Sequence, residues 1–244
     1  MKKAKFIGLA AKAPLFSFIF LAAGFLNAQE FTIPKPVDLF QHSVSSGAIY
    51  EFPIARIWGW SAAGKVAYSI EREVEGRGGK IINFTVFDTV SDDVVVSFGI
   101  DTFDIGDDNL TSEYLYSLLR DRITNAIRAN SIVGGGTDFR PFPIRRNNME
   151  YSCSITNIVH SADNYGFFND NVSKYTVVVT ANGKSKVVNT FESDALTRKI
   201  YICGYILSPF ENRALIVLAE ENFVFEGTEL FYIFGGCHLG TGFN

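Results

Sequence analysis

Arg56-Ile-Trp-Gly-Trp-Ser-Ala-Ala-Gly-Lys-Val-Ala-Tyr-Ser69 reads as strand, tight turn, strand. Apolar residues lead into Gly59 and Trp60, Ser61 to Gly64 supply the turn chemistry, and Val66, Tyr68 and Ile70 alternate with smaller or polar residues. A degenerate second copy stands at Tyr201-Ile-Cys-Gly-Tyr-Ile-Leu-Ser-Pro-Phe-Glu-Asn-Arg-Ala-Leu-Ile216. In each, a Gly-aromatic pair (Gly59-Trp60, Gly204-Tyr205) precedes a turn, a cation and an apolar strand. Each copy then runs into an acidic, Gly-containing stretch read as a loop, Glu71 to Gly79 and Glu220 to Gly227, and a third apolar strand. The pattern predicts a mainly β (α+β) fold: antiparallel sheets from two related halves, 54–133 and 137–236, with one helix packed on them.

Outward from that core, residues 1–28 have the form of a secretory signal. Lys2, Lys3 and Lys5 form a basic start, Ala13 to Phe25 is apolar, and Leu26-Asn-Ala28 offers a cleavage site after Ala28. Lys12 and Pro14 interrupt the apolar run, which falls short of the roughly 20 residues a spanning helix needs. Cleavage would remove 28 of the 244 residues and leave 216, enough for one β-rich domain over 29–244 with a sizeable core. The leader holds four lysines and no acid, so its loss takes the formal charge from −4 to −8. That acidity argues against nucleic acid or anionic lipid as partner and leaves a protein or a small ligand. The expected location is the periplasm or the medium, with no transmembrane segment after cleavage. With 23 Phe and 10 Tyr against 2 Met, the core is expected to be aromatic and sheet-like.

Gln29 to Pro53 is an irregular lead-in. Lys80 to Asp88 and Val94 to Ile100 read as strands, and Asp101 to Asn109 as an acidic loop. Leu110 to Asn130 is the one convincing helix: Thr111 can cap it, Glu113 suits its first turn, and Leu115, Leu118, Leu119, Ile123, Ala126 and Ile127 recur at helical spacing. Tyr151 to Val159 reads as a half-exposed strand, with Tyr151, Cys153, Ile155 and Val159 on one face. Lys174 to Phe191 is a hairpin about Asn182-Gly183, the preferred two-residue turn. Centring it there sets Val177 against Val188 and Val178 against Val187, apolar on both faces, as for a sheet covered on two sides. Ile200 to Leu207, Arg213 to Ala219 and Thr228 to Phe234 read the same way.

Trp58-Gly-Trp-Ser…Gly-Lys-Val-Ala-Tyr68, its acidic continuation, and the late Ala214-Leu-Ile-Val-Leu…Phe225-Glu-Gly227…Phe231 pattern resemble a bacterial family of predicted secreted proteins, a domain of unknown function. The resemblance implies export and a β-rich fold, and it implies no activity. The first pattern also resembles the aromatic-Ser-Pro-Asp-Gly-Lys repeat of periplasmic propeller proteins. Ala62-Ala63 replaces Pro-Asp here, and two copies are visible where a propeller has at least four.

Few side chains gather into a chemical pattern. His42, His160 and His238 lack metal-ligand spacing, no Gly-x-Ser-x-Gly elbow occurs, and Cys237-His238 is adjacent in sequence, which by itself favours neither a nucleophile–base pair nor a metal clamp. The odd trio Cys153, Cys203 and Cys237 does not form a disulfide framework, although one pair can still be oxidised. No cofactor fingerprint and no metal cluster is read. The weak binding candidates are Trp58 and Trp60, read on one strand face, and the carboxylates Glu71, Glu73, Glu220, Glu221 and Glu226. Such carboxylates suit a glycosidase-like pair or a cation, whereas loop acids are more often solvated. Two function classes follow: an envelope binding or interaction module, favoured, and an envelope hydrolase working through these acids.

Overall fold

Fourteen elements follow in order in the computed structural model, which describes residues 31–42, 52–74, 76, 78–161, 171–193, 196–224 and 227–244. The signal segment with its cleavage site, Glu75 and the candidate Glu226 lie outside the described residues. Strands β1 (Ile54–Trp60), β2 (Lys65–Glu73), β3 (Lys80–Asp88) and β4 (Asp93–Asp101) precede helices α1 (Thr102–Ile105) and α2 (Ser112–Ala129). Strands β5 (Phe139–Arg140), β6 (Ile144–Arg146), β7 (Met149–Ser161), β8 (Asn171–Ala181) and β9 (Lys184–Glu192) come next. The chain closes with β10 (Thr197–Leu207), β11 (Arg213–Val224) and β12 (Gly227–His238).

The strands form three four-stranded sheets of orders β1-β2-β3-β4, β12-β11-β10-β5 and β6-β7-β8-β9, with every pairing antiparallel. They stack as layers with the helix outermost. Leu115, Leu119 and Ile123 of α2 pack on Ile82, Phe84 and Val86 of the first sheet. The opposite face of that sheet, with Ile57, Trp60 and Tyr68, packs on Cys203, Val217 and Phe234 of the second. The second sheet turns Tyr205, Ile216 and Leu218 toward Tyr175, Val177 and Val179 of the third. Covered on both sides, the central sheet needs apolar residues on both faces, and β11 is buried from Ala214 through Asn222.

Two three-strand units, β1–β3 and β10–β12, correspond in detail. Each first strand carries a β-bulge at its glycine, between Ile57 and Gly59 and between Ile202 and Gly204. Each turn closes alike, Ser61 N donating to Lys65 O at 2.8 Å and Ser208 N to Arg213 O at 2.9 Å. Each third strand ends alike, Thr89 N on Gly64 O at 3.1 Å and Leu239 N on Asn212 O at 2.8 Å. Only glycine fits the two bulges, because a Cβ would run into the Val133 carbonyl at Gly59 and the Arg140 carbonyl at Gly204. Those carbonyls belong to the edge segments laid against β1 and β10.

Helix α2 has the expected cap, Thr111 Oγ1 accepting from Tyr114 N at 3.3 Å. Four expectations need correction. Residues 102–105 of the stretch read as loop form the short helix α1, capped by Asp101. The β8–β9 hairpin is covered on one face only: Tyr175, Val177 and Val179 are buried while Val187 is 58% exposed. Its turn is as read, with φ of 51° at Asn182 and 74° at Gly183. Val178 does pair with Val187, but a bulge sets Val177 against Asn189 instead of Val188. In β7, a break in register after Thr156, with Asn157 at φ 50°, takes Val159 off the buried face and leaves it 49% exposed.

Candidate functional site

The two tryptophans do not share a face. The bulge at Gly59 places two residues opposite one and so reverses the alternation between them. Trp58 points to α2, ringed by Phe31, Phe84 and Tyr116, with its Nε1 donating to Ser69 Oγ at 3.0 Å. Trp60 points to the central sheet, fully buried, and donates to Gly136 O at 2.9 Å. Both are core residues, each contributing about 2–3 kcal/mol through burial.

The acidic stretches are not loops where they matter. Glu71 and Glu73 belong to β2, and Glu220 and Glu221 to β11. Glu71, Glu220 and Glu221 are buried, at 2%, 6% and 7% exposure, whereas the Glu73 side chain is 56% exposed. Counted from the glycine bulges, Glu71 and Glu221 are equivalent: Ala67 pairs Gly59 and Val217 pairs Gly204, four residues earlier in each case. All three buried acids lie at one end of the stack, where Arg72 of β2 reaches Glu229 of β12 at 3.3 Å.

Each is held differently. Glu71 lies under the α2 N-terminus, where Ser112 Oγ donates to its Oε1 and the helix dipole favours an anion. Arg56 stands 3.8 Å away and Lys80 3.9 Å away, and Oε2 accepts no hydrogen bond. Arg56 also donates to Pro34 O at 2.7 Å and lies over the Tyr116 ring, whose hydroxyl is 2.8 Å from Ser69 Oγ. Glu221 accepts from Tyr201 OH at 2.6 Å and faces Arg198 at 3.8 Å. Glu220 points to the third sheet, taking Tyr175 OH at 2.7 Å, with Ser193 and Thr197 hydroxyls at 3.5 Å. Burial pushes the Glu220 carboxyl above the usual range, outweighing those three hydrogen bonds. The Tyr175 hydroxyl is pushed up as well, by burial and then by the neighbouring acid, so the phenol keeps its proton.

The remaining polar candidates stay apart. His42 Nε2 lies 2.8 Å from Ile202 O, His160 is exposed on β7, and His238 Nδ1 meets Gly240 N at 3.1 Å and Thr241 Oγ1 at 3.0 Å. Burial, then Arg213 and Lys186, hold the His238 imidazole below its ordinary value. Cys153, Cys203 and Cys237 are free thiols. Burial pushes them to about 12, 12 and 11, which keeps them protonated and poorly nucleophilic. Cys237 is fully buried beside a histidine whose ring turns to its own loop, so the pair forms no nucleophile and base. Among the described residues, no group of three His, Cys, Asp or Glu side chains could hold a metal ion.

Two open hollows lie elsewhere, about 490 Å³ along Arg145 to Glu150 and about 390 Å³ between Gly136 to Arg140 and Leu207 to Pro209. Neither includes a candidate carboxylate or tryptophan. Sequence reading missed the surface beside β4 and α2. Val94 and Val95 are 58% and 42% exposed, Phe103 64%, Tyr114 49% and Leu118 48%. The signal was there: Tyr114 and Leu118 are four residues apart on a helix whose buried stripe is Leu115, Leu119, Ile123 and Ala126. Among the described residues, no helix is long and apolar enough to cross a membrane. Comparison of the chain with family models, curated proteins and solved structures gives no match.

Proposed function

We propose that this protein is an exported β-rich binding or interaction module of the cell envelope, processed after Ala28 and related to the predicted secreted proteins it resembles. The observation that carries the reading is the placement of the acids. Glu71, Glu220 and Glu221 each sit within a layer of the core and spend their oxygens on neighbouring hydroxyls and cations. A hydrolase needs a carboxylate within reach of a bound substrate. Glu71 and Glu220 instead join one layer to the next and Glu221 ties β11 to β10 within the central sheet, while the surface offers exposed apolar side chains beside β4, the kind of patch that marks an interaction site.

A panel of glycan, peptide and ester substrates tests this, assayed with the native protein and with Glu71→Gln, Glu220→Gln and Glu221→Gln, the folding of each checked by circular dichroism. The expected result is no turnover that depends on any of the three. Turnover abolished in a single folded variant would overturn the module reading in favour of the envelope hydrolase.

A further inference from the structure

The exposed edge of β4 is the clearest unfinished feature of the fold. Most other sheet edges are guarded: β6, at the edge of the third sheet, is only three residues long, and the outer side of β7 beyond Tyr151 is broken in register after Thr156. β1 is flanked by Val37 and Val133, and β10 by β5. β9 carries Lys184 and Lys186 and takes Asn244 against Ser185. β12 is stopped at Gly236, whose N–H donates to Asp92 Oδ1 at 2.5 Å. Among the described residues no strand lies outside β4, and β4 carries neither lysine nor proline, the usual guards of an edge. Its one defence is a bulge at Val95, which leaves Val96 to Asp101 in regular pairing with β3.

Helix α2 walls this edge on one side. Tyr116 and Arg120 face β1 and the lead-in, with Arg56 over the Tyr116 ring and Arg120 over the Phe31 ring. The opposite flank faces β4, with the Arg122 guanidinium 4.2 Å from the Phe98 ring. Leu118 and Tyr114 continue that flank at one-turn steps and are half exposed. A strand added to β4 would therefore lay alternate side chains against Leu118 and Tyr114.

The ends of the edge specify charge. Asp93 is paired with Asp88, placing two acids together at one end, and Asp101 and Asp104 stand at the other. A second copy pairing antiparallel about Ser97 would set Asp93 against Asp101 twice, and like charges directly opposite are destabilising. The complementary occupant is a strand with cations at both ends. We propose that the groove between β4 and α2 binds an extended peptide segment of another protein by strand addition, apolar at alternate positions and flanked by Lys or Arg. The inference rests on the module reading and names its partner class.

The probe is a nine-residue capped peptide, Lys-Thr-Val-Thr-Val-Thr-Val-Thr-Lys, titrated into the full mature protein and followed by fluorescence polarisation. Binding is expected in the micromolar range, weakening as salt rises. Leu118→Lys should weaken it at least tenfold, and Asp93→Lys several-fold with a flatter salt dependence. Replacing the terminal lysines by glutamate, or the central valine by proline, should abolish it. Equal binding of these control peptides, no binding at millimolar peptide, or indifference to Leu118→Lys overturns the proposal. So does a dimer by sedimentation that Leu118→Lys dissolves, because the occupant would then be a second copy. Failure here with no carboxylate-dependent turnover leaves the module reading intact with another surface. Turnover lost in a glutamine variant sinks the module reading whatever the peptide does.

Discussion

The Tyr175 hydroxyl donates to Glu220 Oε1 at 2.7 Å across the interface between the third sheet and the central one. A neutral donor meets a buried acid there, whose other oxygen faces the Ser193 and Thr197 hydroxyls. The pair joins two layers through a hydrogen bond that persists whether the acid is charged or neutral. Burial disfavours only the charged form.

Glu220→Gln should therefore raise the melting temperature at neutral pH, because the amide oxygen still accepts from Tyr175 and no charge is buried. The sign follows from linkage. Glu220 binds its proton more tightly in the folded state, so its own contribution to native stability is greatest below the unfolded value of about 4.3. It falls as pH rises toward the raised folded value, then levels off. The melting advantage of the variant should shrink to nothing on acidification below pH 4, read by circular dichroism melts across pH. An advantage independent of pH would contradict this account.

Glu71→Gln should act the other way. The variant keeps an acceptor for Ser112 but leaves the largely buried Arg56 without its counter-ion. Breaking a buried pair from one side costs about 3–5 kcal/mol. Denaturant unfolding would show a lowered midpoint, and an unchanged midpoint would mean Arg56 is sufficiently held by Pro34 O and the Tyr116 ring.

Gly59→Ala and Gly204→Ala should each destabilise by about 2–4 kcal/mol, since each Cβ would meet a backbone carbonyl that cannot rotate away. Similar losses at both sites are the signature of the repeat. A loss at one site alone would show that the edge segments at Val133 and Arg140 are not equivalent supports.

Gly183→Val tests the hairpin turn. No atom lies near a Cβ there, so the cost is backbone strain at φ 74°, roughly 1–3 kcal/mol. An unaltered denaturation midpoint would refute the turn assignment.

Mass spectrometry of the protein recovered from the producing cell should give an N-terminus at Gln29. A chain that begins at Met1 would remove the basis for export.

Much of the architecture was legible along the chain. The Gly-aromatic pair, the turn and the cation recur at Gly59 and Gly204 because every feature of that unit lies within a few residues. The Thr111 cap of α2 and the Asn182-Gly183 turn were readable for the same reason. The candidate site was much less so. Glu71 and Glu221 looked like loop acids because acids and glycines crowd together there, and nothing local showed that β2 and β11 run on through them.

By itself, the sequence determined the principal strands, the helix α2, the Asn182-Gly183 turn and the correspondence of the units that begin at Arg56 and Tyr201, since period, turn chemistry and caps act over short range. Tertiary structure alone decided which face each residue looks from and what covers it. One bulge sends Trp58 to the helix and Trp60 to the central sheet. Stacking the second sheet between the other two buries Glu220 against Tyr175 of the third sheet, while Glu221 meets Tyr201 within the central sheet itself. It left the outer hairpin face and the β4 edge open, because burial depends on the neighbouring layer, which contributes its side chains from distant parts of the chain.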